Sequence, residues 1–398
     1  MSVGAALRPL VDAYAVGVPE IAARLAGAGL GAAAGDAELA RLPLLRKSAL
    51  ARLQADVPPW GGMLAEGFVP AAAFLSSGGV VEPLVPRMVE RLAELLRAAG
   101  FGAGHTVLNG FGYHVTPAGM LFHEALVRTG CTVLPGGPQN TATLVDYART
   151  LGATAFVGIA SHLKILFDEE PRLAIRLAMA GAEPHGDAVR ALLAERHGVR
   201  CVDMYGFAEG GIVAASCAAA DALHLHADVT PEVLDPASGA AVEPGEAGEL
   251  VVSLDNPGFP LLRFATGDLV EIDAAACPCG RRGVLRVLGR TGESVRVKGM
   301  LLHASQLRQF LGRTGLDACT VVVTREADRD RIAVSVRPGG AASPGGVASP
   351  EVDRPHTPLD TASVAAAFRE SCRLGADRID VDPGLAVDSC TFEDRRRS

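Results

Sequence analysis

The chain has 398 residues and a mass of 41.0 kDa. This is more than one hydrophobic core usually spans, so two or three domains are expected. Hydrophobic residues make up 49% and charged residues 21%, which is typical of globular enzymes and excludes disordered, collagen-like and coiled-coil classes. The net charge of −8 gives no basic footprint for nucleic acid.

The predicted elements fall into four regions in chain order. Residues 1–75 show the apolar spacing of helices. Residues 76–215 alternate short apolar strands with helices of about ten residues, which predicts a parallel sheet covered on both faces. Residues 216–292 predict a β-rich subdomain. Residues 293–398 predict a small α+β domain, with an expected disordered loop at 338–358, where Gly, Ala, Ser and Pro dominate.

The predicted fold class is therefore α/β: a large N-terminal domain with a parallel sheet and a β-rich subdomain, followed by the small C-terminal domain. In the parallel region the predicted elements are helix 85–99, strand 106–109, helix 118–129, strand 132–135, helix 143–151, strands 155–159 and 177–180, helix 187–197 and strand 200–205.

The N-terminal residues lack the basic and apolar regions of a secretory signal, and no apolar stretch is long enough to predict a membrane span. We therefore expect a cytoplasmic protein with no membrane partner. In a reducing compartment, clustered cysteines indicate metal ligands before they indicate disulfides.

Four residues form a candidate metal site: Cys217, His224, Cys277 and Cys279. A closed set of thiolate and imidazole ligands suits structural Zn²⁺. His226 is a competing ligand, and reduced, partly buried cysteines are the alternative to a metal site.

Several short segments occur in a fixed order: LPLLRKSAL at 42–50, AGAEP at 180–184, YGFAE at 205–209, RFATGD at 263–268, and GRT at 289–291 with KG at 298–299. Together they resemble phenylacetate–CoA ligases. These belong to the adenylate-forming superfamily of acyl-CoA synthetases, luciferases and peptide-synthetase adenylation domains. The resemblance runs from about Arg8 to Arg397. It implies that a carboxylate is joined to AMP with loss of pyrophosphate and then passed to a thiol. Related proteins often have a metal site at the position of the cysteines, which adds support for zinc.

The resemblance also assigns roles to residues. Tyr205 would offer adenine a flat aromatic face, and Glu209 would act in catalysis as the Mg²⁺ ligand. Asp268 and Arg290 would bind the ribose hydroxyls, although an ordinary surface ion pair is the alternative for these two. If nucleotide binding is retained, the predicted nucleotide-binding residues are Ser76, Ser77, Gly78, Glu183, Tyr205, Gly206, Asp268 and Arg290.

The phosphate loop departs from the family pattern. The family usually has Ser-Ser-Gly-Thr-Thr-Gly-Lys-Pro, whereas this chain has SSGGVVEP at 76–83. Val80 and Val81 are stiff and carry no side-chain donors. Glu82 puts a negative charge where the family has a cation, so this loop is predicted to hold triphosphate poorly.

The carboxyl end departs as well. The family has a catalytic lysine in its tail, but no lysine follows Lys298. Aligning the segment 393–396 with that tail places Asp388 at the position of the lysine. The alternative is a misalignment, with Arg378 or Arg395 supplying the charge. Because positioned cations drive nucleotidyl transfer, adenylation is predicted to be impaired or lost.

The segment 110–114 follows a predicted parallel strand, so it lies at the sheet edge where α/β proteins bind ligands. Phe111 and Tyr113 are predicted to line an acyl pocket. His114 is a candidate general base or orienting group for a thioester carbonyl, with a purely structural histidine as the alternative. Gly136 and Gly181 are further candidates for the substrate site.

Three functions remain open from the sequence. The first is an enzyme that transfers, cyclises or releases an acyl or aryl thioester carried by CoA or by the phosphopantetheine of a carrier protein. The second is an ATP- and Mg²⁺-dependent aryl- or acyl-CoA ligase. The third is a non-catalytic partner of an acyl carrier protein. A small-molecule acyl or aryl substrate is expected for either enzyme, and a homodimer is a possible assembly.

Overall fold

The structure is a computed structural model that describes residues 3–31, 34–76, 78–181, 186–219, 222–236, 238–291, 294–298, 300–326, 329–339, 360–387 and 389–396. The chain forms two compact units, Met1–Gly289 and Arg290–Ser398. The predicted domain limits at 75, 215 and 292 stay predictions. Apart from residues 338 and 339, the predicted disordered loop lies outside the described residues.

The helices, in chain order, are α1 Val3–Tyr14, α2 Pro19–Gly27, α3 Asp36–Leu39, α4 Lys47–Asp56, α5 Pro86–Ala98, α6 Ala118–Arg128, α7 Thr141–Thr150, α8 Ala160–Glu169, α9 Gly186–His197, α10 Ala304–Thr314 and α11 Thr361–Cys372. No helix in the described part of the chain is long and apolar enough to cross a membrane.

The strands, in chain order, are β1 Leu45–Arg46, β2 Ala73–Leu75, β3 Val81–Pro83, β4 Thr106–Asn109, β5 Thr132–Pro135, β6 Ala155–Gly158, β7 Leu177–Ala180, β8 Arg200–Val202, β9 Met204–Phe207, β10 Gly211–Ser216, β11 Leu223–Leu225, β12 Val229–Leu234, β13 Gly248–Leu254, β14 Leu261–Ala276, β15 Arg282–Arg290, β16 Ser294–Val297, β17 Met300–His303, β18 Ala318–Glu326, β19 Arg329–Arg337, β20 Arg378–Val381 and β21 Cys390–Asp394.

A five-stranded parallel sheet forms the centre of the first unit, in the order β5-β4-β6-β7-β8. Alternate residues of each strand enter different cores. Val107 and Val157 pack into one hydrophobic cluster, whereas Leu108 and Phe156 pack into another. Both faces are therefore covered, as the continuous apolar strands predict. The α/β fold class is confirmed.

A second sheet of eight strands follows the order β12-β13-β14-β15-β11-β10-β9, and β1 pairs with β14. Neighbouring strands in this sheet mostly run antiparallel. The predicted single strand 200–205 is wrong, because it is divided between the two sheets. The backbone of Asp203 pairs with Ser216 at this point: Asp203 N donates to the Ser216 hydroxyl at 2.9 Å and Asp203 O accepts from Ser216 N at 2.8 Å. These bonds turn the chain out of β8 and into β9.

The second unit has a four-stranded sheet in the order β20-β19-β18-β21, a two-stranded ribbon of β16 and β17, and the helices α10 and α11. Phe310 of α10 and Phe368 of α11 pack edge to face, with ring centroids 5.5 Å apart. This is the small α+β domain that the sequence predicts.

Candidate active site

The predicted phosphate loop is the turn of a β-hairpin formed by β2 and β3. The turn is closed by two backbone bonds, from Ser76 N to Val80 O and from Gly79 N to Ser76 O, both 2.9 Å long. Gly79 has a φ of +75°, a conformation that suits glycine. Val80 is completely buried, so its side chain packs into the core and does not line the surface of the turn.

Lys47, the first residue of α4, lies over this turn. Its Nζ is 2.7 Å from Oε1 of Glu209. A Cβ atom placed on Gly78 would lie 2.8 Å from Lys47 Cε and 3.7 Å from Lys47 Nζ. The absence of a side chain at position 78 therefore leaves the space that the lysine fills. The structure thus puts a cation beside the predicted phosphate loop, although the loop sequence contains none.

Glu82 completes this group, and we call Lys47, Glu82 and Glu209 the hairpin cluster. The Glu82 side chain is buried within the protein, with only 1% of the residue exposed. Burial, followed by the negative charge of Glu209, raises the pKa of Glu82 from its ordinary 4.5 to about 8, against the opposing charge of Lys47. Burial therefore favours the neutral form of Glu82, which adds no negative charge to the turn.

Two contacts fix Lys47 in this position. Gln54, seven residues further along α4 and so on the same helix face, grips the backbone of β3 at Val81. Its Nε2 donates to Val81 O and its Oε1 accepts from Val81 N, each at 2.7 Å. On the other side, Arg46 of β1 pairs with the buried Glu249 at 3.1 Å. The helix is thus held against the hairpin from one side and against the eight-stranded sheet from the other.

Tyr205 and Asp268 meet although they are far apart in sequence. The Tyr205 hydroxyl, on β9, donates to Asp268 Oδ2, on β14, at 2.7 Å. Both residues are more than nine-tenths buried. Gly206 follows Tyr205, and a Cβ there would lie 2.4 Å from Gly211 O, so only glycine fits. The structure brings these predicted nucleotide residues together, with little of the Tyr205 ring exposed. Their role as nucleotide ligands stays a prediction.

Glu209 lies in the turn between β9 and β10, and this turn is anchored by a second group of charges that we call the anchor cluster: Arg87, Arg91, His226 and Asp228. The Arg91 side chain is completely buried. It donates to Asp228 at 2.8 Å, to Asn256 Oδ1 at 2.7 Å and to the carbonyl of Gly210 at 3.0 Å. Glu209 therefore immediately precedes a backbone group that is held by a buried arginine.

The carboxylate of Asp228 is the centre of the anchor cluster. Arg87 contacts it at 3.0 Å and His226 Nδ1 contacts it at 2.6 Å. Although burial opposes the effect, hydrogen bonds from His226 and Arg91 hold the pKa of Asp228 below its ordinary value.

The predicted acyl-pocket segment follows β4, beside β6, where the strand order of the parallel sheet reverses and ligands commonly bind. Phe111 stacks on the buried Phe122 with ring centroids 4.9 Å apart. The Tyr113 hydroxyl accepts from Asn109 Nδ2 at 2.7 Å and lies 3.1 Å from His123 Nδ1. Burial raises the pKa of Tyr113 to about 12, so the phenol stays protonated.

His114 is exposed, and its ring lies over Gly112, where a Cβ would come within 2.4 Å of His114 Nε2. Gly136 and Gly181 follow β5 and β7 at the same carboxyl edge of the sheet. A Cβ on Gly136 would lie 2.8 Å from a methyl carbon of Leu108, and one on Gly181 would lie 2.7 Å from Met204 Cγ. Both glycines are thus required by close packing, and their substrate contacts, like a catalytic role for His114, stay predictions.

Some predicted residues are placed elsewhere or are not described. Ser77, Glu183 and Asp388 lie outside the described residues. Arg290 ends β15 and is the first residue of the second unit. Both alternative cations of the tail have local carboxylate partners: Arg378 pairs with Asp380 at 2.8 Å, and Arg395 pairs with Glu393.

The predicted metal ligands converge. One ligand atom from each of Cys217, His224, Cys277 and Cys279 lies within 4.8 Å of all the others. The Sγ atoms of Cys217 and Cys277 are 3.6 Å apart, and Cys279 Sγ is 3.4 Å from His224 Nε2. The competing residue His226 instead contacts Asp228 and Glu94.

A tight turn presents the two cysteines of the CPC sequence. It is closed by bonds from Cys277 N to Arg281 O and from Gly280 N to Cys277 O, both 2.8 Å long. The backbone N–H of Arg281 is the main cause that lowers the pKa of Cys279 to about 7, which favours the thiolate form that binds metals. Zinc itself stays a prediction.

Lys47 is absent from the residues that sequence reasoning selects for the site. The sequence contains three lysines, at positions 47, 164 and 298, and the first lies in the LPLLRKSAL segment. Lys164 pairs with Asp168 on its own helix, and Lys298 pairs with Asp377 in the second unit. The position of Lys47 inside a family motif is therefore the sequence signal that could have identified it as a site residue.

Residues 112–257 match the family model of AMP-binding enzymes. The phenylacetate-coenzyme A ligase of Pseudomonas putida is 31% identical over 231 residues, which cover 55% of this chain and 52% of the relative. The predicted resemblance to phenylacetate–CoA ligases is confirmed. The enzyme of that name from Thermus thermophilus is 29% identical over 296 residues, or 69% of this chain and 66% of the relative.

The aligned part of the chain thus spans about half to two thirds of the length of these phenylacetate–CoA ligases. Among solved structures, a 2-hydroxyisobutyryl-CoA ligase in complex with 2-HIB-AMP and CoA has a TM-score of 0.80, over 99% of this chain and 89% of that one, at 19% identity. At this identity the likeness shows a shared fold. The chain therefore has the same fold as that ligase.

Proposed function

We propose that this chain is an ATP- and Mg²⁺-dependent ligase that joins an acyl or aryl carboxylic acid to coenzyme A. The observation that supports this most strongly is the 2.7 Å hydrogen bond between Tyr205 and Asp268, with Glu209 in the turn that follows Tyr205. Tyr205 and Asp268, to which the resemblance assigns a nucleotide, thus meet within one sheet, and Glu209, the third such residue, lies in a turn between two strands of that sheet. The names of the relatives support an aryl acid and CoA as substrate classes.

The residues present fit a magnesium nucleotide. Glu209 offers a buried carboxylate oxygen, the hard ligand that Mg²⁺ prefers. When bound, ATP would supply the AMP that activates the acid, and Mg²⁺ would neutralise phosphate charge. Within the chain, Tyr205 holds the carboxylate of Asp268 in one orientation, and the anchor cluster fixes the turn that carries Glu209.

The predicted loss of adenylation is less well supported than ligase activity. That prediction assumes that the side chains of the phosphate loop present an apolar and negatively charged surface to the nucleotide. Val80 and Glu82, however, both point into the protein, burial raises the pKa of Glu82 and so favours its neutral form, and Lys47 supplies a cation. We therefore favour the ligase over an enzyme that acts on ready-made thioesters. A carrier-protein partner and a homodimer stay predictions.

The test is pyrophosphate release with a panel of aryl and alkyl acids, with mass spectrometry of the CoA products in the presence and absence of ATP. ATP-dependent thioester formation is expected with at least one acid. Glu209→Gln should lower pyrophosphate release by about 100-fold, since a ligand to the phosphate charge is lost. Thioester turnover that proceeds without ATP, and no pyrophosphate with any acid, would refute the ligase.

We also propose that Cys217, His224, Cys277 and Cys279 bind one structural Zn²⁺. Two pairs of soft ligands on a tight turn and an adjacent hairpin support this, because four thiolate and imidazole ligands give a closed tetrahedral site. Elemental analysis of the purified protein should give about one zinc per chain. Cys277→Ser should lose the metal, and the control Cys201→Ser, outside the cluster, should retain it. Metal-free protein with an unchanged melting temperature would exclude a structural zinc.

A further inference from the structure

The strongest unexplained feature of the described chain is the position of Lys47. A lysine side chain with 20% of its surface exposed spans a glycine turn and ends 2.7 Å from the buried carboxylate of Glu209. Ordering a lysine in this way costs conformational entropy. The Gln54 clasp on Val81 and the Arg46–Glu249 pair show that the surrounding elements are built to hold it.

The chemistry of the turn identifies the ligand class. The turn carries glycines and the hydroxyl residue Ser76, and Lys47 adds a full positive charge above Gly78. Compact ammonium groups bind phosphate as point charges, without the planar geometry that a guanidinium needs. A glycine turn with an ammonium over it therefore fits a phosphate group.

We propose that Lys47 is the phosphate-binding cation of this site and that it exchanges partners when a nucleoside triphosphate binds. This inference rests on the proposed function. Before binding, the ammonium neutralises Glu209, which avoids an unpaired buried carboxylate. In the complex, Lys47 binds the polyphosphate, and Glu209 becomes a ligand to the divalent cation. The cation of the phosphate loop thus comes from α4 and not from the loop.

The test measures binding in EDTA, where no divalent cation is present, so that activity is not the readout. ATP and adenosine are titrated into the protein by calorimetry. Replacing Lys47 alone would leave Glu209 unpaired, so the comparison is between Glu209→Gln and the double variant K47M/E209Q. Melting temperatures confirm that both variants fold.

Because a charge-assisted bond to phosphate is lost, K47M/E209Q should bind ATP about 30-fold more weakly than E209Q. Its affinity for adenosine, which has no phosphate, should be unchanged. The control Lys164→Met, on the exposed face of α8, should bind ATP as the wild type does. Equal ATP affinity in E209Q and K47M/E209Q would overturn the role of Lys47 while leaving the ligase intact. A wild type that binds ATP no better than adenosine would also overturn the role of Lys47, whereas the pyrophosphate assay described above tests the ligase separately.

Discussion

The two clusters of buried charge in the first unit are balanced in opposite ways. In the anchor cluster, Arg91 makes three kinds of hydrogen bond, and Asp228 is met by Arg87, Arg91 and His226. In the hairpin cluster, a single ammonium faces two buried carboxyl groups, so that the pKa of Glu82 rises to about 8. The first arrangement lowers the pKa of its acid and the second raises it.

This difference distinguishes a structural cluster from a functional one. Charges that satisfy one another stabilise a fold, provided that their hydrogen bonds are complete. Charges that are incompletely matched are costly, and sites of this kind cluster where a ligand completes them. The anchor cluster accordingly touches the backbone beside Glu209, whereas the hairpin cluster contains Glu209 itself.

The largest effect is expected from Arg91→Met. This change leaves the partly buried Asp228 with less compensation and frees the carbonyl of Gly210, so the free energy of unfolding should fall by about 3–5 kcal/mol. Urea denaturation measures the loss. The control Arg149→Met removes an exposed pair with Asp146 and should change stability by less than about 0.5 kcal/mol. A loss below about 1 kcal/mol for Arg91→Met would mean that the anchor cluster is not a stabilising unit.

Asp228→Asn should have the next largest effect, and it should depend on pH. Because the pKa of Asp228 is lower in the folded protein than its ordinary 3.8, the stabilisation is present above about pH 4 and is lost as the pH falls further. The variant should therefore be about 2–3 kcal/mol less stable at pH 7. The gap should narrow as the medium becomes more acidic. Thermal melts between pH 7 and pH 3 measure it, and a gap that is constant over this range would contradict the proposed pKa.

Gln54→Ala should have the smallest effect on stability. It removes two hydrogen bonds to Val81, so a loss of about 1–2 kcal/mol is expected. Gln54 positions α4, so its loss should displace Lys47. ATP affinity in EDTA should therefore also fall by a few-fold. The exposed Gln139→Ala serves as the stability control. If Gln54→Ala loses stability but keeps full ATP affinity, the clasp does not position the lysine.

Much of the parallel sheet is predictable from the sequence, because its strands are short apolar runs between turns. Three predicted strands, 106–109, 132–135 and 177–180, have the same bounds as β4, β5 and β7. Helix α8 was not predicted. It begins directly after β6 with Ile159 at its N-cap and no side-chain cap, so the sequence signal for a helix start is missing.

The candidate site, like the fold, could be predicted from the sequence only in part. The cysteines and His224 could be grouped from sequence, since thiolate and imidazole chemistry is specific and each pair is local. Lys47 could not be placed, because its neighbour Gly78 is remote in sequence and the two meet only in the folded chain. Likewise, a glutamate in the sequence indicates a negative charge, whereas burial in the folded chain raises the pKa of Glu82 and favours its neutral form.

The missing side chain of Gly78 allows Lys47 to lie close to the hairpin. The first carbon of any larger residue at this position would come within 2.8 Å of Lys47 Cε, and the lysine tip is the only flexible partner in that contact. A methyl group would therefore act as a wedge that swings the ammonium outward without altering a single formal charge. The size of the residue at position 78 therefore determines how far the ammonium of Lys47, which belongs to α4, extends over the hairpin.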